Sequence, residues 1–136
     1  METNKHIVRR LVSEAQQGRD VSVVDELLSP NFVDHSPMPG VEPTRDGVKI
    51  LFGALHAAFP DLTVTIHDQI AEGDKVVTHK TFTGTHRGDF LGIPASGNAI
   101  DFEVIDILRV RGEKITDHWA VIDKLTLMKQ LGAVQS

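Results

Sequence analysis

Asp106 is the only carboxylate in an otherwise apolar row. Phe102, Val104, Asp106, Leu108 and Val110 fall on one face of a segment that alternates as a half-buried strand does. Further along, His118 shares a face with Thr116, Ala120 and Ile122. A carboxylate buried among aliphatic side chains is costly unless it is paired or hydrogen-bonded. Burial raises its pKa and a neighbouring imidazolium lowers it, and that competition can leave a pair able to exchange protons near neutral pH. General acid–base catalysis is the chemistry such a pair would do. A structural ion pair, or a register that leaves Asp106 in solvent, fits the same pattern. Asp34 and His35 are the other polar residues of interest, at the end of a short apolar segment, where a capped turn would also place them.

The element that must position Asp106 and His118 is a hairpin over residues 101–123, with a tight turn at Arg111-Gly112-Glu113. A turn centred on Gly112 sets Asp106 directly opposite His118. Ahead of it, apolar residues at helical spacing predict a helix capped by Thr3 or Asn4 and stopped at Gly18, and a short one from Asp20 to before Pro30. An extended piece over Asn31-Phe32-Val33-Asp34-His35-Ser36 follows. Thr44 caps a third helix whose stripe is Val48, Leu51, Phe52, Leu55 and Phe59, with His56 off its centre and solvated. Residues 61–71 and 75–85 form a hairpin turned at Glu72-Gly73-Asp74, in which Val76, Thr78, Lys80 and Phe82 share a face and His67 and His79 are surface or cross-strand residues. The loop GTHRGDFLGIPASG carries Phe90, Leu91 and Ile93, as a loop folded over something apolar does, and lacks the strand–turn–helix setting of a phosphate cradle. A short helix over residues 125–131 closes the chain, with Asp123 as its cap.

Helices first and antiparallel hairpins later predict one α+β domain over residues 1–136, with helices on one side of a curved sheet. The other sheet face carries Ile105, Ile107, Trp119 and Val121, which a homodimer built sheet to sheet would bury. A net charge of −5 with scattered Lys and Arg argues against a nucleic-acid surface. With no cysteine there is no disulfide or thiol nucleophile, and no histidine–carboxylate spacing indicates a metal site. No apolar run reaches membrane-span length and METNKH does not read as a signal peptide, so a cytoplasmic protein is expected.

Three stretches, IVRRLVSEAQQGRDVSVVDELLSPNFVDHSP, AAFPDLTVTIHDQIAEGDKVV and FTGTHRGDFLGIPASGNAIDFEVIDILRVRGEKITDHWAVIDKLTLMKQLGAV, resemble the SnoaL-like polyketide cyclases (SnoaL-like ester cyclases) of the nuclear-transport-factor-2-like superfamily. The resemblance spans nearly the whole chain. It implies a cone-shaped α+β barrel with an apolar pocket, and ring closure of a polyketide by intramolecular aldol condensation without metal or organic cofactor. By that resemblance Asp106 stands where the cyclases place a histidine. His118 matches a common last-strand histidine, and Asp34 a polar pocket residue. The acid/base aspartate of the cyclases is replaced by Ala120.

The expectation is a cofactor-independent enzyme acting on a small hydrophobic carbonyl compound. Asp106 is its acid or base and His118 the partner, with Asp34 and His35 at the pocket mouth. Phe32, Phe52, Leu55, Phe90 and Trp119 pack around the cavity or core. Two alternatives stay open: a relative that isomerises ketosteroids or opens epoxides, and a non-catalytic dimer that binds a small apolar ligand, which the loss of the aspartate at Ala120 favours.

Overall fold

A computed structural model describes residues 3–134 of the chain. A five-stranded curved sheet runs in the order β1-β5-β4-β3-β2. The strands are β1 (Leu28–Asp34), β2 (Thr63–Glu72), β3 (Lys75–Thr85), β4 (Ala99–Arg111) and β5 (Lys114–Ile122). β1 pairs parallel to β5, and the remaining pairs are antiparallel. Helices α1 (Asn4–Arg10), α2 (Ser22–Leu27), α3 (Arg45–Ala58) and α4 (Lys124–Gln130) cover the sheet face carrying Phe82, Phe102, Val104, Leu108 and Val110, all buried.

The predicted caps form. Thr3 accepts a hydrogen bond from the His6 N–H, Thr44 from the Gly47 N–H and Asp123 from the Thr126 N–H. The first helix differs from expectation: after Arg10 it widens into a π-helical turn over Leu11–Gln16, with the Gln17 N–H bonded to the Val12 carbonyl at 2.8 Å. Such turns re-aim side chains, and this one buries Gln16. The strand after α2 begins at Leu28, earlier than expected, and contains Pro30, which it tolerates as the edge of the sheet. His56 is half-buried rather than solvated, with Nε2 2.6 Å from the Gln16 carbonyl oxygen. His67 and His79 are cross-strand residues as expected, beside Thr81 and Glu103.

The β4–β5 hairpin forms where the alternation placed it, but its register is different. The turn residues Gly112 and Glu113 have φ of 56° and 65°, the left-handed pair of a two-residue turn. Next to the turn Val110 pairs with Ile115, and beyond an irregularity Arg109 pairs with Asp117, so Thr116 is an extra residue, a β-bulge. The bulge reverses the facing of β5. Ile115 is fully buried, and after the bulge His118, Ala120 and Ile122 look inward instead of their odd-numbered neighbours. Asp106 therefore faces Ala120 directly and meets His118 on the diagonal, not head-on as the turn length implied.

The Gly- and Pro-rich loop before β4 folds onto the core as expected. Arg87 and Gly88 donate their N–H groups to the Ala58 carbonyl at 2.9 and 3.1 Å. A Cβ on Gly88 would lie 2.4 Å from the Ala57 carbonyl oxygen, so only glycine allows this approach. The loop delivers Phe90, 5% exposed, edge-on to Phe59 at 5.3 Å.

Candidate active site

Between the helices and the inner face of the sheet lies a cavity of about 110 Å³. Its walls are apolar: Phe32 from β1, Phe52 and Leu55 from α3, Phe82 and Phe102 from the sheet, and Phe90 from the loop. Set into these walls are Gln16, Asp34, Lys80, Asp106 and His118.

Strand pairing explains how they meet. Asp34 is the parallel partner of His118, and the His35 N–H bonds the His118 carbonyl at 2.8 Å. This brings Asp34 Oδ1 to 2.9 Å from His118 Nδ1. The Ser36 N–H, at 2.9 Å, holds the same carboxylate oxygen. On β4, Asp106 has Thr78 opposite it on one side and Ala120 on the other, both too small to reach it. The diagonal neighbours are long enough. Lys80 Nζ lies 3.0 Å from Asp106 Oδ2, and His118 Nε2 lies 3.6 Å from the same oxygen. That last separation is an ion-pair distance, too long for a formed hydrogen bond. Gln16 Oε1 accepts from Lys80 Nζ at 3.1 Å. The result is a row of alternating charge across four strands, Asp34–His118–Asp106–Lys80.

The charges hold one another. Burial alone would raise the Asp106 carboxyl, but the Lys80 ammonium and then His118 outweigh it, and its pKa falls below the ordinary value. For Asp34, burial is likewise outweighed by His118 and the Ser36 N–H, and its pKa is lowered. Burial would push His118 down, yet the Asp106 and Asp34 carboxylates beside its two ring nitrogens carry it above the ordinary histidine value. The signs define a window. The carboxylates' contribution to stability is present above about pH 4 and lost as pH falls through their depressed values. The imidazolium's contribution is complete below about pH 6.5 and lost as pH rises through the elevated value of His118. In Asp34→Asn the His118 pKa is expected to fall, because the charge beside Nδ1 is gone. A titration of the imidazole C–H resonance by NMR measures it, and an unmoved or raised midpoint would mean that Asp34 does not hold the ring charged.

Of the residues singled out from sequence, Asp34, Asp106 and His118 converge, and Phe32, Phe52, Leu55 and Phe90 line the same cavity. His35 and Trp119 do not. Strand alternation turns both to the opposite face of the sheet, where their rings stack at 4.5 Å with 5° between planes. There His35 Nε2 is 2.9 Å from Asp117, and Lys75 and Arg109 lie over the Trp119 ring. His35 is thus removed from the pocket mouth and Trp119 from the cavity wall. Sequence reasoning missed Lys80 and Gln16. The signal for Lys80 was its place in the row of Val76, Thr78 and Phe82, a cation on a buried face. No comparable signal marked Gln16, whose burial depends on the π-helical turn.

Comparison with known proteins identifies the family and the fold. The family model described as SnoaL-like polyketide cyclase matches residues 6–131. An aklanonic acid methyl ester cyclase of Streptomyces peucetius is 28% identical, over 97% of this chain and 92% of its own. The structure of TsrD from Streptomyces laurentii superposes with a TM-score of 0.85 at 33% identity, covering 98% of this chain and 100% of that one. A SnoaL-like polyketide cyclase from Agrobacterium tumefaciens, 20% identical, shares the fold with a TM-score of 0.80 over 97% of this chain and 100% of that one.

Proposed function

The chain belongs to the SnoaL-like polyketide cyclase family, and from that premise we propose that it closes a ring in a hydrophobic polyketide-like methyl ester by intramolecular aldol chemistry. The observation that carries this reading is the Asp34–His118–Asp106–Lys80 row inside an apolar cavity. A carbon acid flanked by carbonyls is already activated. The protein must orient it, exclude water and move a proton. Asp106 takes the proton from carbon. The resulting enolate carbon attacks the second carbonyl and forms the new C–C bond. His118, held as the imidazolium, gives its Nε2 proton to the alkoxide. Asp106 then returns its proton to His118 across the 3.6 Å gap, and both groups are reset. Ala120 in place of a carboxylate is compatible with this division of labour. Its small side chain lies directly opposite Asp106 and leaves space beside it.

The test is proton exchange. Incubated in D2O with a β-keto ester, the protein is expected to exchange the activated C–H faster than buffer, and to convert aklanonic acid methyl ester to a cyclised isomer seen by chromatography. Neither exchange nor cyclisation would move the weight to a ligand-binding role. The epoxide-opening alternative loses support from Arg109, which pairs with Asp74 and Asp117 on the opposite sheet face rather than with Asp106.

We also propose that the opposite face is a homodimer interface. Ile105 and Val121 there are 50% and 76% exposed, next to Trp119. Sedimentation at micromolar concentration is expected to give a dimer, and Val121→Glu a monomer. A wild type that sediments only as monomer would refute the interface.

A further inference from the structure

Two polar residues that line the cavity, Asp106 and Lys80 on adjacent strands, each have a hydrogen-bonding valence with no oxygen or nitrogen partner among the described residues. Asp106 is 2% exposed, and its Oδ2 is taken by Lys80 and His118. Its other oxygen, Oδ1, is buried with no hydrogen-bond partner among the described residues. A buried carboxylate oxygen left empty is expensive. Lys80 is 4% exposed, and its ammonium carries three N–H groups. It donates to Gln16 Oε1, lies 3.0 Å from Asp106 Oδ2 and sits over the Phe82 ring at 5.5 Å, and no third oxygen partner is found for it among the described residues. An incompletely bonded carboxylate and an ammonium with no third oxygen partner, on adjacent strands lining one cavity, match a ligand that presents a proton to one and an oxygen to the other.

We propose that Lys80 is a catalytic residue that binds the oxygen of the substrate carbonyl and holds it as it becomes an enolate oxygen, while the Asp106 carboxylate removes the adjacent carbon-bound proton. This inference rests on the carbon-acid reading above and assigns its oxyanion donor. The C–H bond breaks, its proton goes to the Asp106 carboxylate, and its electron pair becomes the enolate with the charge on the oxygen facing Lys80. When the enolate carbon forms the C–C bond, that oxygen returns to a carbonyl. A preorganised ammonium in a water-poor site strengthens its hydrogen bond as the charge develops, which is the condition for lowering the barrier. Gln16 is a positioning residue. It holds the ammonium without adding charge, so it leaves the cation free to respond to the substrate.

The probe is 4-nitrophenol, whose phenolate has the charge and geometry of an enolate and a distinct absorption band. The wild type is expected to bind it as the phenolate at a pH where the free phenol is largely neutral. Lys80→Met is expected to weaken phenolate binding roughly tenfold or more, the worth of one charge-assisted hydrogen bond. Lys80→Gln, whose amide keeps a contact to Asp106, serves if the methionine variant does not fold. Binding of the neutral phenol alone, or no binding, overturns the proposal. So does phenolate binding that the Lys80 variants leave unchanged, since His118 would then be the donor. Lys80-dependent phenolate binding in a protein that exchanges no carbon acid leaves the oxyanion site standing and removes the cyclase reading. Exchange without phenolate binding does the reverse.

Discussion

Asp106→Asn is expected to lower the rate of carbon-acid exchange, and of any cyclisation, by about 10²–10⁴-fold, the range that one positioned acid–base group contributes. The amide keeps the size of the side chain, and its oxygen can still accept from Lys80, so the cavity wall is preserved. What disappears is the carboxylate that accepts a proton and the charge facing His118 and Lys80. Lys80 then has no carboxylate beside it, and His118 keeps only Asp34. The variant is expected to be less stable by about 3–5 kcal/mol, as when one member of a buried ion pair is removed, so exchange must be measured well below its unfolding midpoint. Asp106→Glu separates the two effects. It restores the charge but displaces the oxygens, so stability is expected to recover more than rate. Exchange within a few-fold of wild type in a folded Asp106→Asn protein would remove Asp106 from the chemistry.

The alternation that marked residues 101–123 as a hairpin was legible because one face is buried, and burial imposes a period of two on the sequence. The register was not legible. Thr116 is an ordinary strand residue, and nothing in its identity announces that it is the extra one. Yet it decides whether His118 or Trp119 looks into the cavity. The same parity separates Asp34 from His35, neighbours in sequence that end up on opposite faces of the sheet. Asp34 could be placed only through β1 pairing parallel with β5, a contact between distant segments. Lys80 shares a face with Val76, Thr78 and Phe82 in the sequence pattern, but its role at the site was hidden for a different reason. A lysine in a strand is usually solvated, and the pairing that makes its burial tolerable comes from the neighbouring strand. The helices and their caps were the most legible part of the fold, because the Thr3, Thr44 and Asp123 caps depend on residues within three positions.

The Lys80–Asp106 pairing also carries a large expected stability effect. Lys80→Met leaves the buried Asp106 and Asp34 facing one cation, His118, and is expected to cost about 3–5 kcal/mol, measured by urea unfolding at neutral pH. The penalty should shrink on acidification. Without the ammonium Asp106 takes a proton more readily, and the protonated acid no longer carries an unpaired charge. Adding Asp106→Leu to the same chain removes one positive and one negative charge together. It leaves the Asp34–His118 pair, at 2.9 Å, intact. The double variant is expected to recover most of the loss, because an apolar pair of similar volume commonly matches a buried ion pair. The coupling energy of the cycle is then about 3 kcal/mol or more, against the 0.2–1 kcal/mol or so typical of an exposed pair. Losses that simply add would mean that the two charges are solvated in the cavity and do not depend on each other. A double variant as stable as wild type but without exchange activity would mean that the row is retained for chemistry, at no gain in stability. Buried charge kept where apolar side chains would fold equally well is what a proton-transfer site, as opposed to a structural ion pair, requires.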